Sequence, residues 1–417
     1  MNLLRLQSSF DSCSWLSLTG GIIGSLALAA CGGGGGSSAS GAASGAAGNG
    51  PSSGTPSPVL VDTALVSDKD GIVVTMTTID ANLSNPWGLA VAPGLPFWIS
   101  DNNTNLTTLY SGTGSVETQG ITGSTDVGIT IPASAAGVPS NPTGQIYNAS
   151  GGFLIATTRG QEPAQFIFDG EGGTIAAWAP DSGSTAVTVY DDGVANGASH
   201  AVYKGLAVAT LNGAPFLYAT DLHNSKVDVF DTHFTKPADM QGKFLDSSLP
   251  SGYAPFGIVT LDGQIYVTYA SQDAAKHDET TGAGLGYVNV FDLSGNLVSR
   301  FASAGALNAP WGIAVAPAGF GSFEGDLLIG NFGDGRINVF KPNGTGEAIS
   351  MGPLTVRNGG TLVIPGLWSL VFGNGDADKP VTTLFYTAGF VDQTDGVFGS
   401  IAPGSGTATA PPSPYGG

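Results

Sequence analysis

Apolar and polar positions alternate along this chain in short runs of four to six residues, each closed by a turn former, and one run occurs twice. It reads Asn85-Pro-Trp-Gly-Leu-Ala-Val-Ala-Pro93 and, far downstream, Asn308-Ala-Pro-Trp-Gly-Ile-Ala-Val-Ala-Pro317. Weaker copies stand at Pro142-Thr-Gly144, Lys204-Gly-Leu-Ala207, Pro255-Phe-Gly-Ile258 and Leu367-Trp-Ser-Leu370, which aligns Gly88, Gly144, Gly205, Gly257, Gly312 and Ser369. Their spacing runs from about 52 to about 61 residues, in or just above the range of a four-stranded propeller blade. Second phrases follow the first: Pro96-Phe-Trp-Ile-Ser-Asp101, Pro215-Phe-Leu-Tyr-Ala-Thr-Asp221 and Asp326-Leu-Leu-Ile-Gly-Asn331 are apolar strands ending in Asp or Asn. Third come Thr107-Thr-Leu-Tyr110, Val227-Asp-Val-Phe230 and Ile337-Asn-Val-Phe340, whose period of two marks half-buried strands. The pattern predicts an all-β, six-bladed propeller.

The last repeat shows only three strands: Trp368 to Phe372, Leu384 to Thr387 and Gly396 to Ile401. Val59-Leu-Val-Asp-Thr-Ala-Leu-Val66 precedes the first repeat and is expected to supply the missing one, since a long unpaired edge invites aggregation. Composition fits. The chain holds 65 Gly and 25 Pro in 417 residues, as many short strands and turns require, and its 41% hydrophobic content is ample for a core.

The expected organisation is a signal peptide over 1–30, a lipid-attachment cysteine and linker over 31–58, the propeller over 59–402 and a tail over 403–417. Trp15 to Ala30 has the length of a signal-peptide core and is short for a membrane span. It ends in Leu28-Ala-Ala-Cys31, which resembles the lipobox of bacterial lipoproteins, with Gly32 to Ser57 as a Gly/Ser/Ala tether. That resemblance implies an exported protein, anchored to the cell envelope through lipid on Cys31, and at the outer membrane where the host has one. The only other cysteine is Cys13, so the propeller needs no disulfide. A net charge of −19 with 13 Lys and Arg argues against nucleic acid as a partner and against electrostatic docking to anionic lipid, leaving the lipid anchor as the membrane contact.

Thr63-Ala-Leu-Val-Ser-Asp68, Asn85-Pro-Trp-Gly88, Tyr203-Lys-Gly-Leu-Ala207, Gly252-Tyr-Ala-Pro-Phe256, Tyr266-Val-Thr-Tyr-Ala270, Asn308-Ala-Pro-Trp-Gly312, Gly330-Asn-Phe-Gly-Asp-Gly335 and Gly366-Leu-Trp368 together resemble a family of exported bacterial proteins with NHL-like propellers. That family is associated with PEP-CTERM sorting and carries no established activity. The resemblance implies the fold and leaves function to the residues.

Inner strands of a propeller line its channel. The residues before the aligned Gly or Ser are Trp87, Thr143, Lys204, Phe256, Trp311 and Trp368. Four aromatics and a cation at a channel mouth can stack on a sugar or flat ligand and hold an anion, which makes Trp87, Lys204, Phe256, Trp311 and Trp368 candidate ligand-binding residues. The competing role is packing between blades. A second set, Asp101, Asp169, Asp221 and Asn331, offers oxygen ligands for Ca²⁺, in the manner of lactonase-like propellers, or caps the turns that follow. No Glu lies in the stretch Asn85 to Pro93, where such enzymes place one. His223, two residues past Asp221, is a candidate general base. Asn374-Gly-Asp376-Ala-Asp378 imitates the start of a calcium loop, and Ser271 to Gly286 is expected to be a mobile loop over one face. The expected function is a non-catalytic binding or scaffold module for a small molecule, glycan or protein at the channel mouth. The alternative is a Ca²⁺-dependent hydrolase.

Overall fold

The computed structural model describes residues 59–73, 77–118, 128–193, 200–344, 346–356 and 359–404. The leader, Cys31 and the linker to residue 58 lie outside them. Six sheets, antiparallel but for one short parallel edge pair between Val59–Ser67 and Thr78–Ile79, follow one another around a ring. Their inner strands are Pro86–Ala90, Pro142–Tyr147, Tyr203–Leu211, Tyr253–Leu261, Pro310–Val315 and Leu367–Phe372. Each packs against the inner strands of both neighbours, blade 6 against blade 1 included.

The apolar runs are continuous where a strand faces a neighbour on both sides. In blade 1, Phe97 and Ile99 join the layer shared with blade 6, while Trp98 joins the layer shared with blade 2 and stacks on Phe166, ring centroids 4.0 Å apart. Six such apolar layers, one between every pair of adjacent blades, make up the core. A seventh fills the channel.

Closure follows the expected route. Val59–Ser67 pairs antiparallel with Asp395–Gly404, from Val59 opposite Gly404 to Ser67 opposite Val397, and so forms an outer strand of blade 6. Lys69 Nζ to Asp395 Oδ1 at 2.6 Å and Asp68 N–H to the Gly396 carbonyl at 3.1 Å fasten its end.

Blade 3 departs from the expected four strands. It has three, Tyr203–Leu211, Ala214–Asp221 and Lys226–Phe230. The segment that follows is rich in turn formers and covers the edge with side chains instead: Phe234, Met240 and Phe244 are buried against blades 2 to 4, and Gln241 donates to the Val229 carbonyl at 3.1 Å.

The aligned glycines have a steric reason. A Cβ on Gly88 would overlap the Thr143 carbonyl, one on Gly257 the Trp311 carbonyl, and one on Gly312 the Trp368 carbonyl. At these seams the inner strand of the next blade presses its backbone into the space left by the missing side chain. Threonines stitch the same seam: Thr220 Oγ1 donates to the Phe256 carbonyl at 2.6 Å, and Thr387 Oγ1 to the Trp87 carbonyl at 2.5 Å.

Candidate functional site

The residues preceding the aligned glycines meet in the channel. Trp87 stacks on Trp368, with centroids 3.4 Å apart, and receives Trp311 and Phe256 edge-on at 6.1 and 6.3 Å. Phe332 stacks on the other face of Trp368 at 4.2 Å. Trp87, Phe256 and Trp368 are at most 1% exposed and Trp311 is 9% exposed, so the aromatics form a plug across the channel. Indole nitrogens tie it to the walls: Trp311 Nε1 donates to the Lys204 carbonyl at 2.8 Å and Trp368 Nε1 to Asn85 Oδ1 at 3.2 Å.

Lys204 lies in the same layer, fully buried, with Nζ 5.1 Å from the Trp87 ring centroid. Its ammonium pairs with Glu171 from blade 2 and, at 3.2 Å, with Asp278 from the blade 4 insertion. Burial opposes its charge, yet Glu171, Glu279 and Asp278 outweigh that cost and hold its pKa above the usual lysine value. Glu279 is pushed up to about 7 by burial, against the pull of Lys204. The hydrogen bond from His277, with help from Lys204, holds Asp278 below the ordinary carboxylate range; the same bond raises His277. Ser271 to Gly286, expected as a mobile loop over one face, carries these ion-paired residues. Glu279–Thr280 adds a short strand beside Ser271 and Gln272, and the ion pairs carry it across the mouth.

A polar arc continues around that mouth. Asn102 Nδ2 donates to Glu171 Oε2 at 3.1 Å, and Asn85 Nδ2 donates to Asn102 and to Gln393 at 3.3 Å each. Glu171, His277 and Asp278 place ligand atoms within 4.8 Å of one another, the one such trio of His, Cys, Asp or Glu among the described residues. The Lys204 ammonium already bonds two of its three members, so the donor set fits a built-in cation better than Ca²⁺, which takes six to eight oxygens.

The Asp/Asn set is not gathered. Asp101 accepts the Thr108 N–H at 3.1 Å, and Asp169 accepts the Gly144 N–H at 2.6 Å with the Thr143 hydroxyl at 2.9 Å. Asp221 accepts the N–H groups of Val202 and Asn224 at 3.2 and 3.1 Å, and Asn331 donates to the Ala306 carbonyl at 2.8 Å. Each carboxylate or amide is taken up by nearby backbone or hydroxyl groups, Asp169 by its own blade's inner strand and Asp221 in part by the turn that follows it. Burial raises Asp169 to about 7 and pushes Asp101 and Asp221 up as well, which is the cost of caps placed inside the ring. His223 is half-buried in the turn after Asp221, and the Gln272 amide bonds its backbone carbonyl at 3.4 Å. Asp376 and Asp378 of the calcium-loop imitation accept the Gly94 and Gly112 N–H groups and flank the Lys379 ammonium, joining blade 6 to blade 1.

Past the plug, toward the ends of the inner strands, the channel opens into a cavity of about 320 Å³. All six inner strands line it. Val91, Ile146, Val208, Ile258 and Val371 are half-buried there, in contrast to the sealed layer above them, and Trp311 forms part of the wall. Sequence reasoning grouped the plug's aromatics as ligand-binding candidates at the channel mouth, with packing as the competing role, and missed this cavity. Its residues are ordinary strand aliphatics, and only the inner position of their strands marks them.

No protein-family model matches the chain. Uncharacterized protein R648 of Acanthamoeba polyphaga mimivirus is 34% identical over 327 residues, which cover 77% of this chain and 76% of that protein. Uncharacterized protein L690 of the same virus is 32% identical over 329 residues, 77% of this chain and 81% of its own. These relatives are viral, whereas the sequence resembles exported bacterial proteins. Among solved structures, virginiamycin B lyase from Staphylococcus aureus is 15% identical, with a TM-score of 0.43 over 82% of this chain and 98% of its own. An α-L-arabinanase from Penicillium chrysogenum is 12% identical, with a TM-score of 0.45 over 83% and 98%.

Proposed function

The chain belongs to the family that includes the mimivirus proteins R648 and L690, and from that premise we propose that its propeller is a non-catalytic binding module that receives a ligand in the central channel. The observation that carries this reading is the channel itself. It is blocked at one end by packed aromatics and an ion-paired lysine, and it widens at the other into a concavity contributed by every blade. Concave, mostly apolar sites with few polar groups are where small ligands bind. The oxygen ligands that motivated a hydrolase are bonded within their own surroundings, and the carboxylates among them form no cluster with one another or with a histidine among the described residues.

The module is displayed on a tether in this reading. Lipid on Cys31 holds it to the envelope of an exporting cell, and 32–57 gives it reach. Replacing Cys31 with Ser is expected to abolish acyl labelling and move the protein out of the membrane fraction; unchanged labelling would remove the anchor from the proposal.

Binding and catalysis separate in one experiment. Purified protein is screened for ligand-induced rises in melting temperature, and for turnover of lactones and esters, before and after chelation. The expected result is ligand stabilisation that survives chelation, with no turnover. Tightly held Ca²⁺ whose removal abolishes turnover would establish the hydrolase instead.

A further inference from the structure

The lining of the open cavity specifies what it takes. Resting on the binding-module reading, we propose that its ligand is a compact, uncharged small molecule with both apolar and hydrogen-bonding surface, which seats against Trp311 beside Ser369.

Four observations support this. First, no lining residue carries a charge, although the chain as a whole bears −19. A charged ligand would lose its hydration and find no counter-charge, a cost that neutral ligands avoid. Second, every blade contributes an aliphatic wall residue: Val91, Ile146, Val208, Ile258, Ile313 and Val371. Third, the channel ends at the plug, so an occupant cannot thread through; the volume of about 320 Å³ sits at the small end of the range for ligand sites, roughly 300 to 1,000 Å³.

The fourth observation concerns the polar side chains. Gln145 is committed, accepting from Ser100 and Thr107 at 3.2 Å each and donating to the Gly88 and Trp98 carbonyls. Thr260 Oγ1 donates to the Val208 carbonyl at 3.0 Å. Ser369, one of the residues lining the cavity, stands where the five other blades have Gly. A glycine there would complete the repeat. The Ser369 hydroxyl is the one departure from that repeat; besides Thr260, the Tyr147 phenol is the remaining hydroxyl among the lining residues.

The test uses neutral and charged molecules of one shape. Benzyl alcohol, toluene, benzoate and benzylammonium are titrated against the full propeller by ligand-observed saturation-transfer NMR. Benzyl alcohol is expected to bind at least about 10-fold more tightly than either ion. Val208→Trp, which fills the cavity, is expected to abolish binding of both neutral probes, whereas Val298→Trp on the outer strand of blade 4 leaves it intact. Ser369→Gly is expected to weaken benzyl alcohol about 3- to 10-fold and leave toluene unchanged. Equal binding of the ions, or binding that survives Val208→Trp, would overturn the proposal. If all four probes fail while another ligand class stabilises the protein, the proposed chemistry falls and the binding module stands. If nothing binds at all, both fall. Melting curves of each variant establish that a loss of binding is not a loss of fold.

Discussion

A single methyl group at Gly257 would collide with the carbonyl oxygen of Trp311 in the next blade. The backbone on both sides belongs to inner strands that close a ring, so neither side can retreat freely. Gly257→Ala is therefore expected to destabilise the fold by about 1 to 3 kcal/mol, the usual cost of overpacking, whereas Gly213→Ala, which meets no atom within 4 Å, is penalised only through its positive φ. Equilibrium denaturation of both variants checks this. Asp62 tests the electrostatics at the same scale. Burial raises its pKa from 3.8 to about 7, despite the hydrogen bond from Tyr386, and its second oxygen has no partner. The folded state therefore binds the proton more tightly than the unfolded chain. The stability this group contributes is complete below about pH 4 and is lost as pH rises through 7. Asp62→Asn keeps the oxygen that Tyr386 needs. It is expected to gain on wild type as pH climbs from 4 to 8, with the gap read from melting temperatures across that range; parallel curves would show that Asp62 titrates normally.

At the scale of elements, the blade 4 insertion and Lys204 form one unit. The lysine's neighbours are acids from two other segments, and the loop is held where its charge points. Lys204→Ala strands Glu171 and Glu279 without a cation, and breaking a buried pair typically costs about 3 to 5 kcal/mol. Chemical denaturation should show that loss. It should be larger at pH 8 than at pH 5, because Glu279, raised to about 7 by burial, takes up a proton at the lower pH. A solvent-facing ligand contact would instead leave stability nearly unchanged. Repeated Pro-Trp-Gly phrases made the inner strands legible, because tight backbone approach demands Gly and the plug demands large rings at fixed places. The ion network was not legible. Glu171, Asp278 and Lys204 lie on three blades, and nothing in their local sequence says that they face one another.

For the molecule as a whole, the period carried most of the information. Six copies with alternating strands specify a ring, and a last repeat one strand short specifies where the chain must return. The three-stranded blade escaped notice because its cover consists of single side chains, Phe234, Gln241 and Phe244, scattered through a loop without periodicity. The cavity escaped for a related reason: strand aliphatics look alike in sequence whether they face a neighbour or a hollow.

The register of the closing strand has a mechanical consequence. Val59 lies opposite Gly404, so the chain enters and leaves the ring at the same end of one strand pair. Tension between the residues preceding Val59 and those following Gly404 would load that ladder at its terminus, breaking its hydrogen bonds one after another rather than shearing them together. Under tension applied between the two chain ends, the first structure to yield is the strand that makes the circle a circle.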